Sequence, residues 1–454
     1  MSIDYRLTAS DVGDSGSELS VRRIVRTWWP LAASWLFMAT EGPMMSAVVA
    51  RLAEPEINLA AWGGVVFPIA LVVEAPIIML LSASTALSSD WSSYLKLRRF
   101  MMSAGALLTI LHVLIAFTPF YYVVAVSLIG APAEIVEPAR LGLMIMLPWT
   151  WSIAYRRFNQ GVLIRFGHSR AVGVGTLVRL GADGLVLGVG YVIGTIPGIV
   201  VAASAIAAGV VSEAIYAGLR VRPVLRDQLR PALPAGRPLT VRTFLGFYTP
   251  LAMMALLNML VQPIGSAALS RMPAAIESLA VWSVVSGFIF LFRSLGYAYN
   301  EVVIALLEEP RAARNLRRFA LALTTLTTTA LLTIAATPLA TIWFGTVLGL
   351  DPRLVALARW GLWIALPIPG LTVLQKWYEG TIVHSRRTRP ITEAMGVFLL
   401  TDGAVLFAGM VWGQMSGLYV GLAAMATGML AQIAWLWQRR RLAMRAARVQ
   451  SGAG

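Results

Sequence analysis

Unbroken apolar blocks, separated by short polar stretches, occupy nearly the whole chain. They fall at about 27–51, 59–87, 99–127, 138–165, 170–193 and 197–219. After a basic, proline-rich stretch at 220–242 they resume at about 243–270, 278–307, 317–345, 353–384, 390–412 and 416–438. About 20 apolar residues cross a bilayer as a helix, so the pattern predicts twelve transmembrane helices. The blocks do not alternate with period two, and barrel strands of about ten residues do not fit them. The expected class is an all-α polytopic membrane protein. Residues 1–24 are polar and read as a disordered cytoplasmic tail rather than a signal peptide, because no apolar core precedes a small-residue cleavage site.

Composition agrees with this reading. Of 454 residues, 58% are hydrophobic and 13% charged, with a mean hydropathy of +0.73. Soluble globular domains carry about 25% charged residues, so a cytosolic enzyme and any disordered class are excluded. The net charge of +15 would suggest nucleic acid in a soluble protein. Here most Arg lies in short segments between apolar blocks, so no nucleic-acid partner is expected. Of the 37 Lys and Arg, 27 fall in the tail, the loops after even-numbered blocks and the C-terminal segment, against 5 in the loops after odd-numbered blocks. The positive-inside rule then places both termini in the cytoplasm, and Arg/Ala-rich, Lys-poor usage suggests a bacterial inner membrane. With no Cys and three scattered His (His112, His168, His384), neither a metal centre nor a bound cofactor is expected.

The chain also matches itself. At an offset of 220, Pro30-Leu31-Ala32 meets Pro250-Leu251-Ala252, Arg51 meets Arg271, and Leu59-Ala60-x-Trp62 meets Leu279-Ala280-x-Trp282. After the loss of one residue the match continues at 219. Leu97-Arg98-Arg99-Phe100 meets Leu316-Arg317-Arg318-Phe319, Leu147-Pro148 meets Leu366-Pro367, and Asp183-Gly184 meets Asp402-Gly403. Six helices is an even number, so the two halves share an orientation, an arrangement found in transporters. The expected organisation is a tail (1–24), a lobe (25–219), a cytoplasmic linker (220–242), a second lobe (243–440) and a second tail (441–454).

Each half opens with an aromatic residue just before Pro-Leu-Ala (Trp29-Pro30-Leu31-Ala32; Tyr248-Thr249-Pro250-Leu251-Ala252). Leu-Ala-x-Trp opens the second block of each half, and a proline sits inside the fourth. The loop SSDWSSYLKLRRF lacks the glycines of the major-facilitator motif. The pattern resembles the multidrug and toxin extrusion and lipid-flippase (MOP) superfamily. It is most similar to the progressive ankylosis (ANK-like) branch through PLAMMALLNMLVQPIGSAALSR, GVLIRFGHSRAVG and LPIPGLTVLQKWYEGTI. That resemblance implies two six-helix lobes about a V-shaped cavity and export by alternating access, coupled to a proton or sodium gradient. It implies coupling carboxylates at Glu41 and Asp183. Arg179 stands where the multidrug branch tends to have Asn, which argues against sodium. The branch is associated with release of pyrophosphate, nucleotide and citrate-like anions.

Charges inside the bilayer cost about 2.5–3.5 kcal/mol each and mark function by default. At about 1.5 Å rise per residue, Glu41, Glu74, His112, Asp183, Arg293 and Asp402 lie roughly 18–21 Å from the cytoplasmic helix ends. Arg156, Arg157, Arg179 and Lys376 lie at roughly 12–14 Å on the same rise. The repeat pairs Arg157 with Lys376 and Asp183 with Asp402, which predicts one salt bridge per lobe between the fourth and fifth helices of each half. Groups that break the repeat are better functional candidates. Glu41 faces Val261 and precedes Gly42-Pro43; buried, it would have a raised pKa unless paired, which suits a proton carrier. Glu74 and Arg293 are candidates to pair across the cavity. Arg156 faces Gln375, Gln160 faces Glu379 and Arg179 faces Phe398.

The expected cavity set is Glu74, Arg156, Arg157, Arg179, Asn258, Gln262, Arg293, Lys376, Glu379 and Asp402, with Glu41 and Asp183 coupling the ion. Five intramembrane cations favour an anionic small-molecule substrate. The expected protein is a monomeric secondary-active exporter of an organic or phosphorylated anion. Multidrug cation efflux and flipping of a lipid-linked substrate are the alternatives. An enzyme is not expected, since no His/acid cluster or large extramembrane loop is present. Gly173-x-Gly175 reads as helix packing, Glu308–Arg314 as a solvated loop, and Arg439–Arg441 as an anchor for anionic lipid.

Overall fold

The computed structural model describes residues 19–232, 239–307, 312–384 and 389–451, with side chains for all of these except 384 and 440–451. Residues 1–18 of the expected tail, 233–238 of the expected linker, 308–311 of the acidic loop and the side chains of Arg440 and Arg441 lie outside the described set. Every regular element among the described residues is a helix. In chain order they are α1 (Val21–Ala39), α2 (Glu41–Val49), α3 (Pro55–Leu87), α4 (Trp91–Phe117), α5 (Phe120–Ile129), α6 (Ala133–Ile145), α7 (Leu147–Arg165), α8 (Ser169–Ile193) and α9 (Gly198–Leu229). Then follow α10 (Val241–Leu269), α11 (Ala275–Leu306), α12 (Ala312–Ala336), α13 (339–347), α14 (Pro352–Ala365), α15 (Pro367–His384), α16 (Arg389–Trp412) and α17 (Gly417–Ser451).

Among the described residues, ten helical stretches are long and apolar enough to cross a bilayer. The expected segments 27–51 and 138–165 are not among them. The first is broken at Thr40 into α1 and α2, and the second at Met146 into α6 and α7. The spanning stretches Pro55–Leu87 and Pro352–Val383 carry the same one-residue break at Met79 and Leu366, so the break alone does not set the two apart. Pro43 and Pro148, each with no N–H to donate, sit just after these breaks. Both α1 and α7 also carry arginines, Arg22, Arg23 and Arg26 on α1 and Arg156, Arg157 and Arg165 on α7.

The duplication is written in the backbone as well as the side chains. Glu54 and Ala274, 220 apart, are the only non-glycine residues with left-handed φ among those described, at 51° and 54°. Each precedes the first residue of the second long helix of its half. Gly130 and Gly349, 219 apart, take φ of 74° and 78°, and Gly194 and Gly413 take 70° and 63°. Glycine supplies these turns at little steric cost. Gly190 and Gly409 repeat a close helix approach. A Cβ there would meet Val201 Cγ1 at 2.5 Å and Val420 Cγ1 at 2.3 Å.

The chain divides into two compact units. One is Met44–Ser270; the other runs from Arg271 onward and includes α1. The lobes expected at 25–219 and 243–440 keep the opening helix of each half with its own half, whereas these units exchange them. In the first unit α10 packs on α3, where the Tyr248 hydroxyl donates to the Pro76 carbonyl, and the stacked rings of Phe244 and Tyr248 meet Phe100 of α4 edge-on. In the second, α1 packs on α11. Trp28 Nε1 donates to the Leu295 carbonyl at 3.0 Å, and Trp28 meets Phe319 of α12 edge-on. The core of this unit gathers Ile24, Trp28 and Leu31 with Tyr299, Val302, Leu316 and Trp377.

Two expected boundaries move. The tail ends sooner than residue 24: Leu19 is buried, and the Ser20 hydroxyl accepts from the Arg23 N–H as an N-cap. The first ten residues of the expected linker are helical, since α9 continues through Pro223 to Leu229, its last residues forming a wide π turn.

Candidate functional site

In the first unit, α7 supplies the centre of a buried polar network. Arg156 and Gln160 are one turn apart and both point at Glu213 of α9. Arg156 Nη1 lies 2.5 Å from Glu213 Oε2, and Gln160 Nε2 donates to Oε1 at 2.8 Å. The Arg156 and Glu213 side chains are 7% and 1% exposed. A pair this deep must be mutually satisfied, because a lone charge there carries a desolvation cost of several kcal/mol.

Around this triad the charges are less complete. Glu74 of α3 is 3% exposed, and its Oε2 has no hydrogen-bond partner among the described residues. It lies within electrostatic reach of Arg157, Arg156 and Arg179. Arg157, next to Arg156, has a buried Nε without a partner and makes no ion pair among the described residues. On α8, Asp183 is fully buried, with Arg179 Nε 3.9 Å away one turn earlier. Its carboxylate rests on the backbone of α9, where a Cβ at Gly209 would fall 1.8 Å from Oδ1. Only glycine leaves room for that acid.

The second unit builds a different arrangement on the same frame. Arg293 of α11 donates from Nε to Thr372 Oγ1 at 3.1 Å and from Nη2 to the Tyr297 hydroxyl at 2.8 Å. Lys376 of α15 pairs with Glu379 at 2.5 Å on its own helix and lies 5.2 Å above the Tyr297 ring. Gln375 donates to the other Glu379 oxygen at 2.8 Å. Trp35 of α1 stacks on the Tyr297 ring, with centroids 5.2 Å apart. Arg293 therefore rests on an aromatic ring and two hydroxyls, with no carboxylate partner among the described residues.

The expected bridge between the fourth and fifth helices of each half does not form in either unit. Arg157 does not reach Asp183, whose acid pairs along its own helix with Arg179. Lys376 takes Glu379, three residues on, rather than Asp402, which is 5% exposed and makes no ion pair among the described residues. A partner within one turn of helix is reached without ordering a second element. The repeat frame explains a further difference. Arg156, Gln160 and Glu213 correspond to Gln375, Glu379 and Gln432, so Glu and Gln exchange places between the paired helices. Each unit keeps one glutamate held by a cation and a glutamine.

Glu41 opens α2 directly after the break at Thr40 and is half-buried rather than enclosed. Beside it, Gly42 lies against Gly287 of α11. Asn258 is exposed on α10 and donates within its own helix to the Met254 carbonyl; Gln262, one turn on, is half-buried. His112 holds Thr150 Oγ1 at 2.7 Å and the Leu143 carbonyl at 2.9 Å, a helix-packing role. Sequence reasoning missed Glu213, although an acid inside the 197–219 block was visible. It also missed Tyr297, whose spacing of four from Arg293 was the available signal.

The backbone is similar in fold to several solved membrane transporters. It superimposes on an inward-facing multidrug resistance MATE family transporter of the MOP superfamily with a TM-score of 0.65 and 16% identity, covering 92% of this chain and 98% of that one. A MOP superfamily transporter from Pyrococcus furiosus, described as having a binding pocket of reverse polarity that suggests a different function, matches with a TM-score of 0.60 and 17% identity. That match covers 92% of this chain and 95% of the other. The lipid II flippase MurJ, in an inward closed conformation, matches with a TM-score of 0.62 and 13% identity over 89% of this chain and 87% of that one. The chain thus has the fold shared by these transporters and the flippase. No protein-family model and no curated protein matches its sequence.

Proposed function

We propose that the protein is a secondary-active transporter of the MOP superfamily. On this reading it crosses the membrane twelve times with both termini in the cytoplasm and exports an organic or phosphorylated anion by alternating access, driven by a proton gradient. The carrying observation is that, of the five intramembrane cations expected at the cavity, Arg157 in the first unit and Arg293 in the second have no carboxylate partner among the described residues, whereas Arg156, Arg179 and Lys376 do. A guanidinium forks onto carboxylate or phosphate oxygens with two parallel hydrogen bonds. Arg293 is already oriented for this by Thr372 and Tyr297. Glu41, at the break between α1 and α2, and Asp183 are the proposed proton carriers, with Glu74 beside three arginines as a third acid that solute and proton can contest.

The test is flux in proteoliposomes of the purified full chain under imposed proton or sodium gradients, with pyrophosphate, nucleotides, citrate and cationic dyes as solutes. Anions should move with the proton gradient. Arg157→Gln and Arg293→Gln should each lower that flux more than about tenfold, as expected when a charge-assisted hydrogen bond of about 1.5–3 kcal/mol is lost. Movement of dyes without anions would overturn the reading. The MurJ likeness supports a second reading, a flippase for a lipid-linked phosphate, which transbilayer movement of a labelled lipid-linked pyrophosphate would distinguish from movement of soluble anions.

A further inference from the structure

A second basic site lies in the first unit, lined by none of Arg156, Gln160 and Glu213. A cavity of about 470 Å³ opens where the first turns of α4 meet the last turns of α9, with Tyr155 of α7 on its inner wall. Its rim carries Arg98, Arg222 and Arg230, all exposed. None of the three guanidiniums makes a hydrogen bond or ion pair with the described residues; that of Arg230 instead lies 4.8 Å over the Trp91 ring. Arg226 also borders the cavity but is already neutralised by Asp227 at 2.6 Å. Aromatic rings (Trp91, Tyr94, Tyr155) form the apolar side, and the Tyr155 hydroxyl has no hydrogen-bond partner among the described residues.

Three unpaired guanidiniums on one rim repel each other unless an anion joins them. The aromatic wall beside them suits a ligand that is anionic at one end and apolar at the other. The repeat separates this from packing common to both halves. Arg98 recurs as Arg317, but Tyr94, Tyr155 and Gly218 have Ala313, Leu374 and Trp437 as counterparts. Gly218 leaves the space that Tyr155 fills, since a Cβ there would lie 2.6 Å from its hydroxyl. The aromatic wall therefore belongs to one half alone.

We propose that this cavity binds the phosphodiester headgroup of an anionic phospholipid, with Arg98, Arg222 and Arg230 on the phosphate and the aromatic rings along the glycerol and upper acyl chain. Basic pockets between transmembrane helices take cardiolipin-type headgroups by this chemistry, and Trp and Tyr favour the membrane interface. The proposal is independent of which solute the protein carries.

Native mass spectrometry of the purified full chain, released from mixed micelles of phosphatidylglycerol, cardiolipin and phosphatidylethanolamine, tests it. The anionic lipids should be retained selectively. Arg98→Ala, Arg222→Ala and Arg230→Ala should each weaken retention about fivefold, the factor that corresponds to about 1 kcal/mol per basic residue at an anionic surface. Arg317→Ala, the counterpart in the other half, should leave it unchanged, and Arg98→Lys should keep most of it. Equal retention of phosphatidylethanolamine, or equal loss in Arg317→Ala, would overturn the site. Displacement of the lipid by millimolar inorganic pyrophosphate would overturn the lipid assignment in favour of a soluble phosphate.

Discussion

Replacing Glu213 by Gln tests the central network directly. The substitution keeps the volume and removes the charge that Arg156 faces at 2.5 Å, leaving a guanidinium that is 7% exposed without a counter-ion. Breaking a buried pair from one side costs about 3–5 kcal/mol. For a folding unit of 150–250 residues each kcal/mol moves Tm by about 2–4 °C, so Glu213→Gln and Arg156→Gln should each lower Tm by roughly 6–20 °C. The double variant Arg156→Gln/Glu213→Gln makes the two positions those of the other half, where Gln375 and Gln432 stand. It leaves no orphan charge, since neutral amides can replace the pair. The double should therefore be markedly more stable than the sum of the single losses, with a coupling of about 2 kcal/mol or more. Thermal unfolding of the four proteins in one detergent, followed by tryptophan fluorescence, closes the cycle. Strictly additive losses would show that Arg156 and Glu213 do not depend on each other, and the account of the network would fail.

Other expectations follow from single sites. Gly209→Ala should destabilise the fold by several kcal/mol, because its Cβ would lie 1.8 Å from Asp183 Oδ1. Gly173→Ala, with nothing within 4 Å, should cost nothing or gain about 0.5–1 kcal/mol in helix propensity, and the two Tm values should separate clearly. Asp90 caps α4. Burial raises its pKa, but hydrogen bonds from the Ser93 N–H and the Ser92, Ser93 and Ser89 hydroxyls outweigh it and hold the carboxyl below its ordinary value. Its contribution is then full above the unfolded pKa of about 3.9 and is lost as pH falls toward the folded value. Asp90→Ala should cost about 1 kcal/mol at neutral pH and much less under strong acid, as acid-unfolding curves would record. Glu41→Gln should uncouple solute flux from the proton gradient in proteoliposomes; full gradient-driven flux would remove Glu41 from the coupling step.

Much of this architecture can be read from residue order. Unbroken apolar runs mark helices because a bilayer admits only helices and closed barrels, and barrel strands would alternate. The duplication shows in prolines, tryptophans and arginines that recur in register, and the left-handed pairs Glu54/Ala274 and Gly130/Gly349 carry the same register in the backbone. Partner choice is harder to read. Helix periodicity says that Arg156 and Gln160 share a face but not which helix that face meets, so Glu213 on α9 went unassigned. Depth along the bilayer likewise placed Arg157 near Asp183 without fixing rotation about the helix axis. Nothing local to α1 or α10 states which unit each joins. Trp28 and Tyr248 find their acceptors, the carbonyls of Leu295 and Pro76, only once distant helices are in place.

The allegiance of α1 has a consequence for biosynthesis. The ribosome makes this helix before the first unit, yet α11 and α12, against which Trp28 and Ile24 are buried, emerge only after the whole first unit has been made. Through most of translation α1 waits with the Trp28 indole N–H and the Ile24, Trp28 and Leu31 face uncovered. A chain halted after residue 240 would leave it a stray helix and would also lack the α10 that completes the first bundle. Neither half is therefore a self-sufficient product, and two separately expressed halves should regain stability only when both are present.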